Sequence, residues 1–130
     1  MADKWQAIHN FWSGFGIPAY DESSVPEYIY INGERIKNEP PYITYNAVIG
    51  EFEQVVQLTA SVWYKSTSWA EISQKVDEIA QGVDQHKLIP INGGYMYIAK
   101  GSPFAQRMQD ENDLIRRIYI VMQAEFFSRY

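Results

Sequence analysis

Two histidines, His9 and His86, are the side chains best suited to move a proton near neutral pH, because imidazole ordinarily titrates there. To act as a general base or a metal ligand, each would need a carboxylate or a second imidazole at ligand spacing. Neither has one. They lie far apart in sequence, each at the edge or end of a predicted helix, and read as partly exposed histidines without catalytic duty. Asp110, Glu111 and Asp113 form a carboxylate cluster of the kind that attracts a divalent cation. Its spacing departs from the calcium-loop pattern and no closing glutamate stands at the right distance, so it reads as a solvated loop. The paired glycines of Ile89-Pro90-Ile91-Asn92-Gly93-Gly94-Tyr95 could cradle a phosphate, but the Gly-x-Gly-x-x-Gly spacing and a following Gly-Lys-Ser/Thr are both missing. A tight turn between strands accounts for them. No serine sits in a nucleophile elbow, and the absence of cysteine excludes disulfides and thiolate metal sites. No catalytic, cofactor-binding or metal-binding residue is assigned, and the chain is expected not to be an enzyme.

The bulk properties favour contacts over chemistry. At 130 residues with 46% hydrophobic and 21% charged side chains, the chain is expected to form a single globular domain spanning 1–130. A net charge of −5, with no run of Lys and Arg long enough to neutralise adjacent phosphates, disfavours tight gripping of nucleic acid. No apolar run approaches membrane-spanning length. The opening Met1-Ala2-Asp3-Lys4-Trp5 does not resemble a signal peptide, so assembly in the cytoplasm of a producing cell is expected. Aromatics reach 15%, including 10 Tyr and 4 Trp. Such side chains combine contact area with a polar handle, which suits surfaces buried against partners. For Tyr42, Trp63, Tyr119 and Phe127 two readings stand: cover by helices or loops of the same chain, or anchoring at a subunit interface.

The elements that would carry these side chains follow from periodicity. Trp5, Ile8, Trp12 and Phe15 form one stripe of an amphipathic helix, capped by Asp3 with Gln6 and stopped at Gly16 and Pro18. A short extended piece lies at Ala19-Tyr20. Asn32-Gly33 between the apolar arms of 28–36 predicts a hairpin, because a type I′ turn needs positive φ at both central residues. Ile43, Tyr45, Ala47 and Ile49 alternate along a strand, and Val56, Leu58, Ala60, Val62 and Tyr64 along its antiparallel neighbour. Ser68 and Glu71 predict a capping box, with Trp69, Ile72, Val76, Ile79 and Val83 as the buried stripe of a second helix. Its outer face is acidic, through Glu71, Asp77, Glu78 and Asp84, and Lys75 is expected to pair with Glu71. Short strands at Leu88-Ile89 and Tyr95–Ala99 follow, then a polar loop over 101–113 carrying Phe104, Arg107 and Met108. The last strand, 115–127, lines one face with Ile118, Ile120, Met122, Ala124 and Phe126. Helix, strands, helix, strands defines an α+β class with a mainly antiparallel sheet and both helices on one face.

Several segments together resemble a known family. Phe15-Gly16-Ile17-Pro18-Ala19-Tyr20, Pro41-Tyr42-Ile43-Thr44-Tyr45, the stretch from Leu58 to Ile72, Gly101-Ser102-Pro103-Phe104-Ala105-Gln106 and the closing Tyr119 to Phe126 are similar to tail terminator, or tail completion, proteins of long-tailed bacteriophages. The likeness lies in their order and wording, since none is a catalytic signature. It implies a homo-oligomeric, six-fold ring in the virion that caps the tail tube, ends tube growth and meets the head-completion or stopper connector protein. DNA would pass through the middle without specific binding, and Glu71, Asp77, Glu78 and Asp84 would suit such a lumen, because like charges prevent sticking. Phe104, Arg107 and Met108 become candidate contacts to tube or connector. No cofactor and no membrane are implied. The hairpin at about 27–39 departs from the family by its length, and its Tyr28, Tyr30, Asn32, Gly33 and Arg35 become candidate contacts to a neighbouring subunit or connector. Two alternatives are another head-to-tail connector component, and a small ligand-binding α+β dimer with a concave pocket.

Overall fold

A computed structural model describes residues 2–129. Helix α1 (Lys4–Ser13) begins where the Asp3 carboxylate accepts the Gln6 amide at 2.7 Å, satisfying one orphan N–H of the first turn. It ends at Gly14, and Gly16 takes a left-handed conformation (φ 82°) that turns the chain toward β1 (Ala19–Asp21). The buried stripe is Ala7, Ile8 and Trp12, flanked by Phe11 and Phe15. Trp5, expected on that stripe, is instead 57% exposed, and Ala7 is buried.

The Asn32-Gly33 turn forms as expected. Asn32 (φ 52°) and Gly33 (φ 82°) both occupy the left-handed region, and β2 (Tyr28–Ile31) pairs antiparallel with β3 (Glu34–Lys37). These two strands make a sheet of their own. The second sheet has six strands in the order β1-β4-β5-β8-β7-β6, where β4 is Tyr42–Asn46, β5 Val55–Lys65, β6 Leu88–Ile91, β7 Gly94–Met108 and β8 Ile115–Ser128. Only β1–β4 is parallel. Ala47 and Ile49, expected at the end of β4, lie past it and pack on the rim of the core.

Alternation sorts the sheet residues. Ile43, Leu58, Ala60, Val62, Met96, Ile98, Ile118, Ile120, Met122, Ala124 and Phe126 are buried on one face, together with the stripe of α2 (Ala70–Gln85): Ile72, Val76, Ile79 and Val83. Each fully buried aliphatic or aromatic side chain contributes about 1.5–3 kcal/mol relative to exposure, so this shared face holds the fold. α2 lies across β5, β7 and β8, whereas α1 touches β1 and β6, the two opposite edges of the sheet. The sheet therefore curls until both edges reach the same helix, and backbone bonds from Ile43 to Pro18 and from Asn92 to Ala2 (both 2.8 Å) secure them.

Two further expectations need correction. The 101–113 segment is not a loop: β7 runs on to Met108, with a register break that sets Gly101 to Phe104 opposite Val121 alone. Gly101 permits it, since a Cβ there would stand 2.7 Å from the Val121 carbonyl oxygen. Among the described residues no strand lies on the outer side of β7 beyond Ile98, so Pro103 sits on an edge where its missing N–H is not needed. The Ser68–Glu71 capping box does not close either; the Ser68 hydroxyl accepts from the Ala70 amide at 3.1 Å, and Trp69 stands at the N-cap.

Candidate assembly interface

The face of the sheet away from the helices carries Tyr20, Tyr42, Thr44, Ser61, Trp63, Arg117 and Tyr119 toward the β1 side and Val55, Glu125, Tyr97, Tyr95 and Phe127 toward the β6 side. The first half is bonded internally. The Trp63 indole donates to Thr44 Oγ1 (2.9 Å), Arg117 Nε donates to Ser61 Oγ (3.0 Å), and the Arg117 guanidinium lies 4.8 Å from the Trp63 ring centroid. Tyr20 and Tyr42 meet edge to face at 5.8 Å. Glu22 and Val25 line a 290 Å³ recess together with Tyr42, Trp63 and Tyr119, each of which is half-buried. Burial, with Tyr20 beside it, pushes the Tyr42 hydroxyl above its ordinary value.

The second half is open. Val55, Glu125, Tyr97 and Leu88 stand in one row across β5, β8, β7 and β6, and Phe127, Tyr95 and Pro90 in the next row of that face. Val55 and Leu88 are 60% and 57% exposed, and Tyr95, Tyr97 and Phe127 are each more than a third exposed. Apart from Glu125 these residues are apolar or aromatic, and exposed patches of that kind are suited to contacts.

The hairpin contacts stand apart from the body of the chain. By alternation Tyr28, Tyr30, Arg35 and Lys37 share one hairpin face, and Ile29, Ile31, Glu34 and Ile36 the other. Arg35 stacks 3.8 Å from the Tyr28 ring centroid, and Tyr30 is 73% exposed. The base is anchored by Asn38, whose side chain donates to the Pro26 carbonyl at 2.9 Å and whose amide donates to Glu27 at 2.8 Å.

Arg107 and Met108 line one recess with Trp69 and Arg116, and Phe104 lies apart from it. Phe104 is half-buried against the core, with Lys100 5.7 Å from its ring. Arg107, on the helix side of β7, stacks on Trp69 at 4.8 Å beside Arg116 at 5.3 Å. Met108 sits opposite Arg117, on the other face. The four acidic residues of α2 likewise separate, because seven-residue spacing places Glu71 with Glu78 on one flank and Asp77 with Asp84 on the other. Glu78 pairs with Lys75 (3.0 Å), and Asp84 with Lys100 (2.9 Å). Lys75, expected to pair with Glu71, turns instead toward Glu78 and the Phe15 carbonyl.

His9 Nδ1 lies 2.8 Å from the Tyr45 hydroxyl, a contact the sequence pattern does not announce because the two are 36 residues apart. Burial and the nearby Asp21 carboxylate raise the Tyr45 hydroxyl, whereas hydrogen bonds from the Ser23 hydroxyl and amide hold Asp21 below its ordinary value. His86 is exposed at the end of α2 and lines a 610 Å³ recess with Phe11, Phe15, Glu78, Gln85 and Leu88. Among the described residues, no group of three or more His, Asp or Glu is arranged to hold a metal ion, and no helix is long and apolar enough to cross a membrane.

No protein-family model and no curated protein sequence matches the chain. Among solved structures, it is similar to a chain in the virion of a native gene transfer agent particle, with a TM-score of 0.60 at 15% identity, covering 93% of this chain and 92% of that one. The likeness extends over nearly the whole of both chains and shows a shared α+β fold.

Proposed function

We propose that this protein is a structural subunit of a phage-like virion: a ring, hexameric by the family resemblance, that caps the tail tube, ends its polymerisation and joins tail to head. The observation that carries this reading is the near full-length fold likeness to a chain of a gene transfer agent virion. The segments that resemble tail terminators support it, as does the open apolar strip on the sheet, which is suited to contacts between copies. Its partners are then further copies of itself, the tube protein on one side and the head-completion connector on the other. DNA threads the opening, and an acidic chain lets it slide. No reaction is involved. The chain works in the tail or neck after assembly in the host cytoplasm.

Light scattering coupled to size exclusion, followed by mixing with purified tube protein, tests this. A ring that binds tube ends and shortens growing tubes is expected. A ring that binds a head-side connector and ignores the tube would move the protein to another position in the neck. A stable dimer that takes up a small molecule would replace the reading with a ligand-binding one.

A further inference from the structure

The hairpin and the open strip are complementary surfaces at opposite corners of the chain. The root of the hairpin, Lys37 to Pro40, lies beside Trp63 and Lys65 at the last residues of β5. The strip begins at Val55, the first residue of that strand, and runs toward the β6 edge. The strand spans eleven residues from one end to the other, roughly 33 Å at about 3.3 Å per residue.

Their chemistry matches. The strip is apolar and aromatic, with the Glu125 carboxylate inside its first row and Glu53 at its border. The Tyr28 face of the hairpin is aromatic with two cations, Arg35 and Lys37. No ion pair among the described residues engages Glu125, Glu53, Arg35 or Lys37. A carboxylate set among tyrosines and a pair of cations set among tyrosines are what two halves of one contact look like when separated. Arg129, over Tyr95 at 6.0 Å, closes the far end of the strip. The other hairpin face carries Glu34 with its isoleucines and lacks the cations that Glu125 would meet.

We infer that the Tyr28–Lys37 hairpin of one copy lies on the Val55–Glu125–Tyr97–Leu88 strip of the next, with Arg35 and Lys37 meeting Glu125. Because donor and acceptor surfaces differ, the contact is head-to-tail, and repeated around a closing rotation it builds a ring. It also gives the hairpin the support that an isolated two-stranded ribbon lacks. The inference rests on the ring reading above and adds which surfaces join.

The absence of cysteine permits a direct test on the full chain. Mixing a Tyr30→Cys copy with a Tyr97→Cys copy under mild oxidation is expected to give a covalent pair containing one of each, with neither variant alone cross-linking comparably. Glu125→Arg is expected to weaken self-association roughly tenfold or more, and combining it with Arg35→Glu and Lys37→Glu should restore assembly, a rescue that a merely misfolded variant would not show. Rings by light scattering that neither cross-link nor respond to the charge swap would overturn the hairpin contact and leave the ring standing. A chain that stays monomeric at all concentrations and beside tube protein would overturn both.

Discussion

The ammonium of Lys75 in α2 donates to the carbonyl of Phe15, in the turn after α1, at 2.7 Å. That bond ties α2 to the turn that follows α1, across 60 residues of sequence. The Lys75 side chain is only 15% exposed, and its second partner, Glu78, is largely in solvent. Close by, Gly82 faces the Phe15 ring so tightly that a Cβ would stand 2.8 Å from it.

Lys75→Met should therefore cost about 1.5–3 kcal/mol, the usual worth of a charge-assisted bond whose loss leaves a carbonyl unpaired. Glu78→Gln should cost below about 1 kcal/mol, as for other exposed pairs. Urea midpoints with unchanged slopes would measure both.

Stability should be nearly flat through neutral pH and fall in alkali. Tyr45, Tyr64 and Tyr42 are all raised, in each case chiefly by burial. A raised group favours the fold below its unfolded value near 10 and loses that contribution as pH climbs through the higher folded value. Asp21 is lowered by its Ser23 bonds, so its contribution is present above about 4 and disappears as pH falls through the lower folded value. Tyr45→Phe should reduce the alkaline loss and cost about 1 kcal/mol at pH 7 through the missing bond to His9. Thermal midpoints across pH 3 to 11 are the readout.

The elements whose side chains repeat regularly were legible before the fold was known. The inner face of β8 and the Asn32-Gly33 turn follow from local spacing, as does the stripe of α2 apart from Trp69, which stands at the N-cap and is only partly buried. What stayed hidden depends on partners distant in sequence. Residues 101–108 open on Gly101, Ser102 and Pro103, which break the alternation, and become strand where β8 offers a backbone to pair with on one side. Lys75 meets Glu78 and not Glu71, although both lie on its flank of α2, and its ammonium also donates to the Phe15 carbonyl, 60 residues away in sequence. Trp5 fits the helical period of α1, yet the smaller Ala7 is buried in its stead. The strip has the same origin: Val55, Glu125, Tyr97 and Leu88 come from four strands, and no window of sequence shows them as neighbours.

Breaking the hairpin turn should separate assembly from folding. Gly33→Val puts a β-branched side chain at φ 82°, which costs roughly 1–2 kcal/mol, enough to open a ribbon of marginal stability. The thermal midpoint of the body should not move, because the hairpin is a sheet apart. Hydrogen exchange should show loss of protection confined to residues 28–37, together with loss of rings. Intact rings with an opened hairpin would show that it is dispensable.

Arg107 is the better probe of the β7 end than Phe104. Phe104→Asp would unsettle the core that its ring packs against, mixing folding with docking. Arg107→Ala removes a stack on Trp69 worth about 0.5–1 kcal/mol at an exposed site, with Arg116 still in place. Reduced binding to tube or connector with a urea midpoint close to that of the parent chain would assign Arg107 to the contact. Unchanged binding would free the Trp69 end for another use.

The most direct measurement is an image reconstruction of the assembled particle at a resolution that traces this chain. A closed ring of its copies at the head-proximal end of the tail tube, with DNA density free to pass through the centre, is the expected result. Finding the chain along the tube, in the capsid, or missing from the particle would contradict the proposal that it terminates the tail.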